Sequence, residues 1–309
     1  MPVVSEQIRG ICPVIETPFS EDGSVDFESF ERLIDHLISA GVRQVMFPGF
    51  ASEFHKLNDE ERNALTRTIL RKFHDVPDCR VVISVPDHAT MLAVRNARAA
   101  VDAGADLINI LPPYFLGPSA SSVRQHIDAI LDAISPTPAI VQYAPEQTGT
   151  SLDAQVFATI ATKRPNLVQV KVESTPPGQL ISSLSALNPP LGSVVGYAGV
   201  QMIDALRRGA EGVQPGCSFV EIYLRIWSLW ESGAEESAIA LHGRLLPYIS
   251  YWMQSVELII RAEKRISMLR GLIATDHCRA PARELDQQEE MMIDRFISEF
   301  NDVFESNHD

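Results

Sequence analysis

Eight short β-rich runs recur along this chain, separated by longer amphipathic stretches, and that alternation restricts the fold more than any other feature. The runs are "GICPVIET", "RQVMFPG", "RVVISV", "LINILP", "AIVQYA", "LVQVKVE", "SVVGYAG" and "EGVQPGC". They lie mostly about 25 to 35 residues apart, the length of one strand–helix unit. The segments between them carry helix signals. Phe30, Leu33, Ile34, Leu37 and Ile38 fall on one helical face. The stretch "NDEE" has the form of a capping box, with Asn58 as N-cap and Glu61 completing it. Gly41 and Gly104 stand where the first and third helices should stop. Eight such units, joined by parallel right-handed crossovers, predict an α/β fold: a (β/α)8 TIM barrel over residues 1–232. No GxGxxG follows the first strand, and no Pro/Gly/Ser-rich linker divides the chain. Residues 233–309 predict further helices, the first two given an apolar side by Leu245, Leu246, Ile249, Trp252 and Met253. They form a C-terminal helical extension packed on the barrel. Within it, "RELDQQEEMMIDRF" predicts a solvated amphipathic helix.

Composition narrows the function. Of the 309 residues, 45% are hydrophobic, enough for a large core, and the formal net charge is -14. Such a charge argues against nucleic acid or an anionic membrane as partner and leaves a small molecule as the expected ligand. No apolar run approaches the roughly 20 residues of a membrane helix. The start "MPVVSEQIRG" lacks the basic-then-apolar pattern of a secretory signal, so a cytoplasmic location is expected. Cys12, Cys79, Cys217 and Cys278 are scattered, as reduced thiols would be. The eight histidines show no HxxxH, HxH or HExxH spacing, so no metal is expected.

One strand carries an anomaly. In "LVQVKVEST", Val168, Val170 and Val172 share one side, and Gln169, Lys171 and Glu173 share the other. In a barrel the valines face the helices, and the polar set points inward. Lysine and glutamate are rarely buried unless paired or used. Two readings compete: a Lys–Glu pair filling a layer of the barrel, or a lysine near the C-terminal mouth, where barrel active sites lie. A buried lysine can act as an imine-forming nucleophile.

Five segments, in order and nearly end to end, are similar to the Schiff-base lyase family that holds dihydrodipicolinate synthase and N-acetylneuraminate lyase. "GICPVIETPFSEDGSVDFESFERLIDHLISAGV" resembles its first unit, with the TPF and DG-x-(V/I)-D segments. "GFASE" followed by "LNDEER" resembles its G-(T/S)-T-G-E loop and the next helix, and "PPYF" its segment after strand four. "YAPEQTG" resembles Y-N-x-P-x-x-T-G after strand five, and Lys171 falls at the imine lysine. The resemblance implies that Lys171 attacks the ketone of a 2-keto acid and that Tyr143 shuttles the proton. It implies that Gly49, Phe50, Ala51, Ser52 and Glu53 offer backbone N–H groups to the substrate carboxylate, and that Gly199 lets backbone approach the keto acid. It also implies a homo-oligomer, dimer or tetramer, and no cofactor.

The chain departs from the family pattern. Phe50 and Ala51 replace two adjacent hydroxyls, and Phe115 replaces a second tyrosine. "YAPEQTG" is one residue short, with Gln147 where the synthase has a carboxylate-gripping arginine. The S-E pair, "EERNALTRTIL", the "VQ-x-AP" end of strand five and "K-x-E-(S/T)" are more similar to the branch that dehydrates 2-keto-3-deoxy sugar acids. On that resemblance Glu173, or Asp87 and His88 after strand three, would protonate a leaving hydroxyl; loop residues before a helix are the plainer reading of the last two. The expected function is therefore a Schiff-base lyase dehydrating a 2-keto-3-deoxy sugar acid. The alternatives are a pyruvate-dependent aldolase, a dihydrodipicolinate synthase, and a catalytically idle barrel that binds a keto acid.

Overall fold

The computed structural model describes residues 7–149 and 151–305. The eight β-rich runs form eight strands: β1 (Gly10–Ile11), β2 (Gln44–Phe47), β3 (Arg80–Val85), β4 (Leu107–Ile110), β5 (Ala139–Tyr143), β6 (Leu167–Val172), β7 (Gly192–Val195) and β8 (Gly212–Val213). They lie in one sheet in the order β1-β8-β7-β6-β5-β4-β3-β2, and the pairs from β3 to β8 are parallel. Val14 continues the first run and bridges in parallel to both Met46 and Gly216. The fold is the (β/α)8 barrel that the alternation predicts. Its helices are α1 (Phe27–Ser39), α2 (Asp59–His74), α3 (Thr90–Asp102), α4 (Ala120–Ile134), the short α5 (Pro145–Thr148), α6 (Ala154–Lys163), α7 (Gly178–Ser185), α8 (Met202–Arg207) and α9 (Val220–Glu231). Beyond them come α10 (Glu235–Trp252), α11 (Val256–Leu269) and α12 (Gln287–Glu305).

Local chemistry starts and stops these helices as the sequence suggests. Asp26, Ser119 and Asp153 each accept the backbone N–H three residues on, capping α1, α4 and α6. Asn58 and Glu61 close a reciprocal capping box at α2. Each such cap stabilises its helix by about 1 kcal/mol. Past the ends of α1 and α3, Gly41 and Gly104 take φ of +90° and +101°, a region that L side chains resist.

The chain gathers into two compact parts: residues up to Gly10 with Arg80–Gln214, and Ile11–Cys79 with the chain from Pro215 onward. In the first, Val168, Val170 and Val172 of β6 are fully or almost fully buried on the side facing away from the barrel interior. In the second, the acidic C-terminal helix is more than a solvated amphipath. Ile293, Phe296, Phe300 and Phe304 of α12 are buried, and the Phe296 ring lies 5.0 Å from Phe219, 5.1 Å from Tyr248 and 5.2 Å from Trp252. The charged sequence signals solvation, but every third or fourth residue is a large apolar group. That spacing gives the helix a face to bury. Among the described residues no helix is long and apolar enough to cross a membrane. The four cysteines are thiols, with Cys12 and Cys217 buried.

A buried ion cluster joins α1, α9 and α11. Glu221 receives His36 Nε2 at 2.7 Å and Arg270 at 2.6 Å. Burial pushes the Glu221 carboxyl up, but the His36 ring and the Arg270 guanidinium outweigh it and hold it at about 2 against an ordinary 4.5. A depressed carboxyl contributes stability that is present above its unfolded value and is lost as pH falls through the folded one. The shift corresponds to about 3 kcal/mol. Glu221→Gln should therefore be destabilised relative to wild type at neutral pH. The gap should narrow as pH falls from about 4.5 towards 2, read from urea unfolding midpoints at a series of pH values. A gap that does not change across that window would show that the carboxylate charge is not the source.

Candidate active site

Strand alternation sets the inner surface of the first part. Gln169, at the start of β6, is taken up by the backbone: its Oε1 accepts Ile8 N–H at 2.8 Å, and its Nε2 donates to Ile8 O. Lys171 lies two residues further along, 3% exposed, with Nζ 3.3 Å from Glu173 Oε1. Glu173 is 8% exposed, and its backbone N–H is fixed on Tyr143 O. Its other oxygen, Oε2, accepts Gln142 Nε2 at 2.6 Å. Gln142 Oε1 accepts Asn109 Nδ2 at 3.0 Å, and the same nitrogen donates to Ser84 Oγ at 2.8 Å. Buried polar side chains from β3, β4, β5 and the end of β6 thus form one continuous chain ending on the carboxylate beside Lys171.

Gly196, after β7, shapes this corner. A Cβ at Gly196 would fall onto the Glu173 carboxylate, so only glycine lets that carboxylate lie there. Gly199 ends a run of three residues with positive φ, Tyr197 (+51°), Ala198 (+48°) and Gly199 (+67°). Left-handed backbone costs a non-glycine residue roughly 1–2 kcal/mol, so strain is stored beside Glu173. Tyr197 donates its hydroxyl to Gln147 Oε1 at 2.8 Å.

The structure does not bring Tyr143 to Lys171. On β5, Gln142 pairs in register with Lys171 and points inward with it, and Tyr143 pairs with Val172. The Tyr143 ring therefore faces outward, edge-on to Phe157 of α6 at 5.7 Å, with its hydroxyl accepting Leu152 N–H. Asp87 and His88 are placed in the loop before α3. Asp87 accepts Asn96 Nδ2, and His88 Nδ1 accepts the Tyr114 N–H, its ring against Tyr114 and Phe115. Phe115 is 81% exposed.

In the second part, the 49–53 loop is a tight 3₁₀ turn after β2. Gly49 is required by packing, because a Cβ there would meet Val14 Cγ1 at 2.7 Å. Gly49 N–H donates to Ser52 Oγ, Ser52 N–H to Gly49 O, and Glu53 N–H to Phe50 O. The Ser52 hydroxyl is itself held by Ile15 O. Of the five N–H groups, only those of Phe50 and Ala51 have no protein partner among the described residues, so the anion-binding capacity narrows to two adjacent amides. Glu53 does not face outward. Fully buried at φ +52°, it pairs with Lys264 at 2.5 Å and Lys56 at 2.8 Å. Lys264 is also fully buried, donating to His277 O and resting 4.3 Å over the Phe19 ring. Among the described residues, His, Cys, Asp and Glu side chains form no group of three that could hold a metal ion.

Ser84, Asn109, Gln142 and Gly196 escape the sequence reading. The signal for the first three is a lone polar residue inside an apolar strand, as in "VVISV", "LINI" and "AIVQY". Nothing local signals Lys264.

Comparison with known proteins bears on the family and the fold. The model of the dihydrodipicolinate synthetase family matches residues 7–300. An L-2-keto-3-deoxyarabonate dehydratase from Azospirillum brasilense is 29% identical over 283 residues, covering 90% of this chain and 89% of that protein. The putative 2-dehydro-3-deoxy-D-gluconate aldolase YagE of Escherichia coli is 27% identical over 290 residues, 92% of this chain and 94% of that one. The crystal structure of dihydrodipicolinate synthase from Rhodopseudomonas palustris superposes with a TM-score of 0.87 at 24% identity, covering 96% of this chain and 98% of that one.

The Glu53–Lys264 pair makes the loop's rigidity testable. Glu53→Gln takes from buried Lys264 the carboxylate that touches it, leaving Glu16 as the remaining nearby acid, and breaking a buried pair in this way costs up to about 3–5 kcal/mol. Urea unfolding should show that loss. A loss below about 1 kcal/mol, the range of exposed pairs, would mean that water reaches Lys264 in solution.

Proposed function

The chain belongs to the dihydrodipicolinate synthetase family, and from that premise we propose that it is a Schiff-base-forming lyase that dehydrates a 2-keto-3-deoxy sugar acid. The observation that carries this reading is the buried Lys171 ammonium 3.3 Å from Glu173 Oε1, with no phenol turned towards it from β5. Lys171 Nζ first passes a proton to Glu173 and attacks the C2 ketone as the free amine; Glu173 then returns that proton to the C2 oxygen, which leaves as water, giving a protonated imine. That cation draws electrons from C3, and Glu173 takes the C3 proton, giving an enamine. The enamine electrons then expel the C4 hydroxyl, and the proton now on Glu173 leaves with it as water. A conjugated iminium remains for hydrolysis from Lys171.

The likeness to an L-2-keto-3-deoxyarabonate dehydratase supports this substrate class. The likeness to YagE favours a second reading, retro-aldol cleavage to pyruvate and an aldehyde through the same imine. A synthase reading is weaker, because Gln147 is neutral and already engaged by Tyr197, so it offers no charged grip on a second carboxylate. The exposed Phe115 and the thiol state of all four cysteines fit a cytoplasmic homo-oligomer.

Borohydride with pyruvate should add a stable mass to wild type and none to Lys171→Ala. Labelling elsewhere would refute Lys171 as nucleophile, and no labelling would favour an idle barrel. Glu173→Gln should still be trapped but lose about 10²- to 10⁴-fold in turnover of L-2-keto-3-deoxyarabonate, the usual size of a general acid–base contribution. Tyr143→Phe should keep trapping and turnover within about threefold, on the scale of a lost hydrogen bond at most. A large loss in that variant would return the shuttle to the phenol.

A further inference from the structure

The polar chain behind Glu173 has a direction, and the direction follows from the carboxylate at its end. An ionised carboxylate only accepts hydrogen bonds. Gln142 therefore turns its Nε2 to Glu173 Oε2, at 2.6 Å. Its Oε1 is then left facing Asn109 and needs a donor, which Asn109 Nδ2 supplies at 3.0 Å. The second N–H of that nitrogen falls on Ser84 Oγ at 2.8 Å. The arrangement leaves Asn109 Oδ1 buried with no partner among the described residues. An orphaned buried acceptor costs about 1–3 kcal/mol. An apolar side chain of similar size would avoid that cost, so packing alone does not explain an asparagine here.

The chain makes the two oxygens of Glu173 unequal. A proton on Oε2 would confront the donating Gln142 amide. Relief would require the amide to flip, and the flipped nitrogen would then face the Asn109 nitrogen, donor against donor. Oε1 carries no such restriction and faces Lys171 Nζ at 3.3 Å. We propose that Asn109 is a positioning residue that acts through Gln142. It dedicates Glu173 Oε2 to accepting a hydrogen bond and leaves Oε1 as the oxygen that takes and returns the substrate proton. The inference rests on the reading of Lys171 and Glu173 as imine lysine and acid–base group. Ser84 supports it by occupying the second Asn109 N–H. The other ionisable groups near Glu173 in this part of the chain are Lys171, Glu146, which accepts Thr175 N–H, and Tyr197, whose hydroxyl burial pushes up and keeps neutral.

Exchange of pyruvate methyl protons in deuterium oxide, followed by NMR across pH, tests this without knowledge of the true substrate. It requires only the imine and a base at C3. Without Asn109 the Gln142 amide is free to turn its oxygen to Glu173, which favours the protonated carboxyl and raises the pH at which the base protonates. In Asn109→Leu, the acidic limb of the exchange rate should move up by about one pH unit, so that exchange falls by up to about tenfold at pH values on that limb. Borohydride trapping should stay within about threefold, because Lys171 keeps its neighbour. Asn109→Asp keeps the shape and removes both donors, and its negative charge acts in the same direction, so its limb should rise at least as far, which covers the case in which the leucine variant does not fold. Ser84→Ala should show a smaller shift in the same direction. Folded Asn109 variants with an unmoved limb and wild-type exchange would overturn the proposal. So would equal losses of trapping and exchange, which mark a packing role. Wild type that neither traps nor exchanges would refute the reading of Lys171 itself, and the inference with it.

Discussion

The structure depends on how an ammonium and a carboxylate are kept out of water on one strand. Removing an ion of this size from water costs several kcal/mol even after relaxation, and a partner offsets the cost only with good geometry and the remaining lone pairs satisfied. Lys171 and Glu173 meet at 3.3 Å, which is long for a charge-assisted hydrogen bond. The carboxylate is therefore held from elsewhere: Gln142 on one oxygen, the Tyr143 carbonyl on its backbone N–H, and the Cα of Gly196 against its face. A loose contact to the lysine and a firm one to the amide suit the proposed role of Lys171, in which its nitrogen makes and breaks a bond. A tight bidentate pair would stabilise the ammonium and oppose that chemistry.

Much of the barrel is legible in the sequence because its signals are local and repeated. Eight apolar runs, an Asn58–Glu61 box and glycines after α1 and α3 each act over a few residues, and each appears where expected. Lys171 and Glu173 are legible for the same reason, since alternation along "LVQVKVE" puts them on one face. Strand five shows how the same rule is misread. Matching tyrosine to tyrosine in "YAPEQTG" treats the segment as one residue short. Counting the alternation in "AIVQY" puts Gln142 on the inner face and Tyr143 outside. A slip of one residue exchanges the two faces of a strand, and here it separates an amide that touches Glu173 from a phenol that touches Phe157.

What the sequence hides is long-range pairing. Nothing in "GFASE" announces that its glutamate is buried, and nothing in "RAEKRI" announces that Lys264 is its partner. The two residues are far apart in the chain, and only the tertiary fold brings their charges within 2.5 Å. The C-terminal helix is a milder case. Its many acids advertise solvent, but the phenylalanines at helical spacing decide where it goes.

If Lys171 and Glu173 act as proposed, a carboxylate in place of a phenol at the acid–base position changes which reaction the imine favours. Retro-aldol cleavage needs a base for the C4 hydroxyl proton, a proton held tightly enough that a phenolate, with a conjugate acid near 10, is the better match. Dehydration instead needs the C3 proton, which the adjacent iminium has already made acidic, so a weak base suffices. It then needs a strong acid for the departing hydroxyl, since hydroxide is a poor leaving group and water a good one. A carboxyl group with a reference value near 4 meets both requirements with one proton: it takes it from C3 and delivers it to the C4 oxygen. Gln142 strengthens the acid half of that cycle by stabilising the carboxylate that remains after delivery. On the proposed reading, the inward glutamate and the outward tyrosine together favour loss of water over loss of an aldehyde.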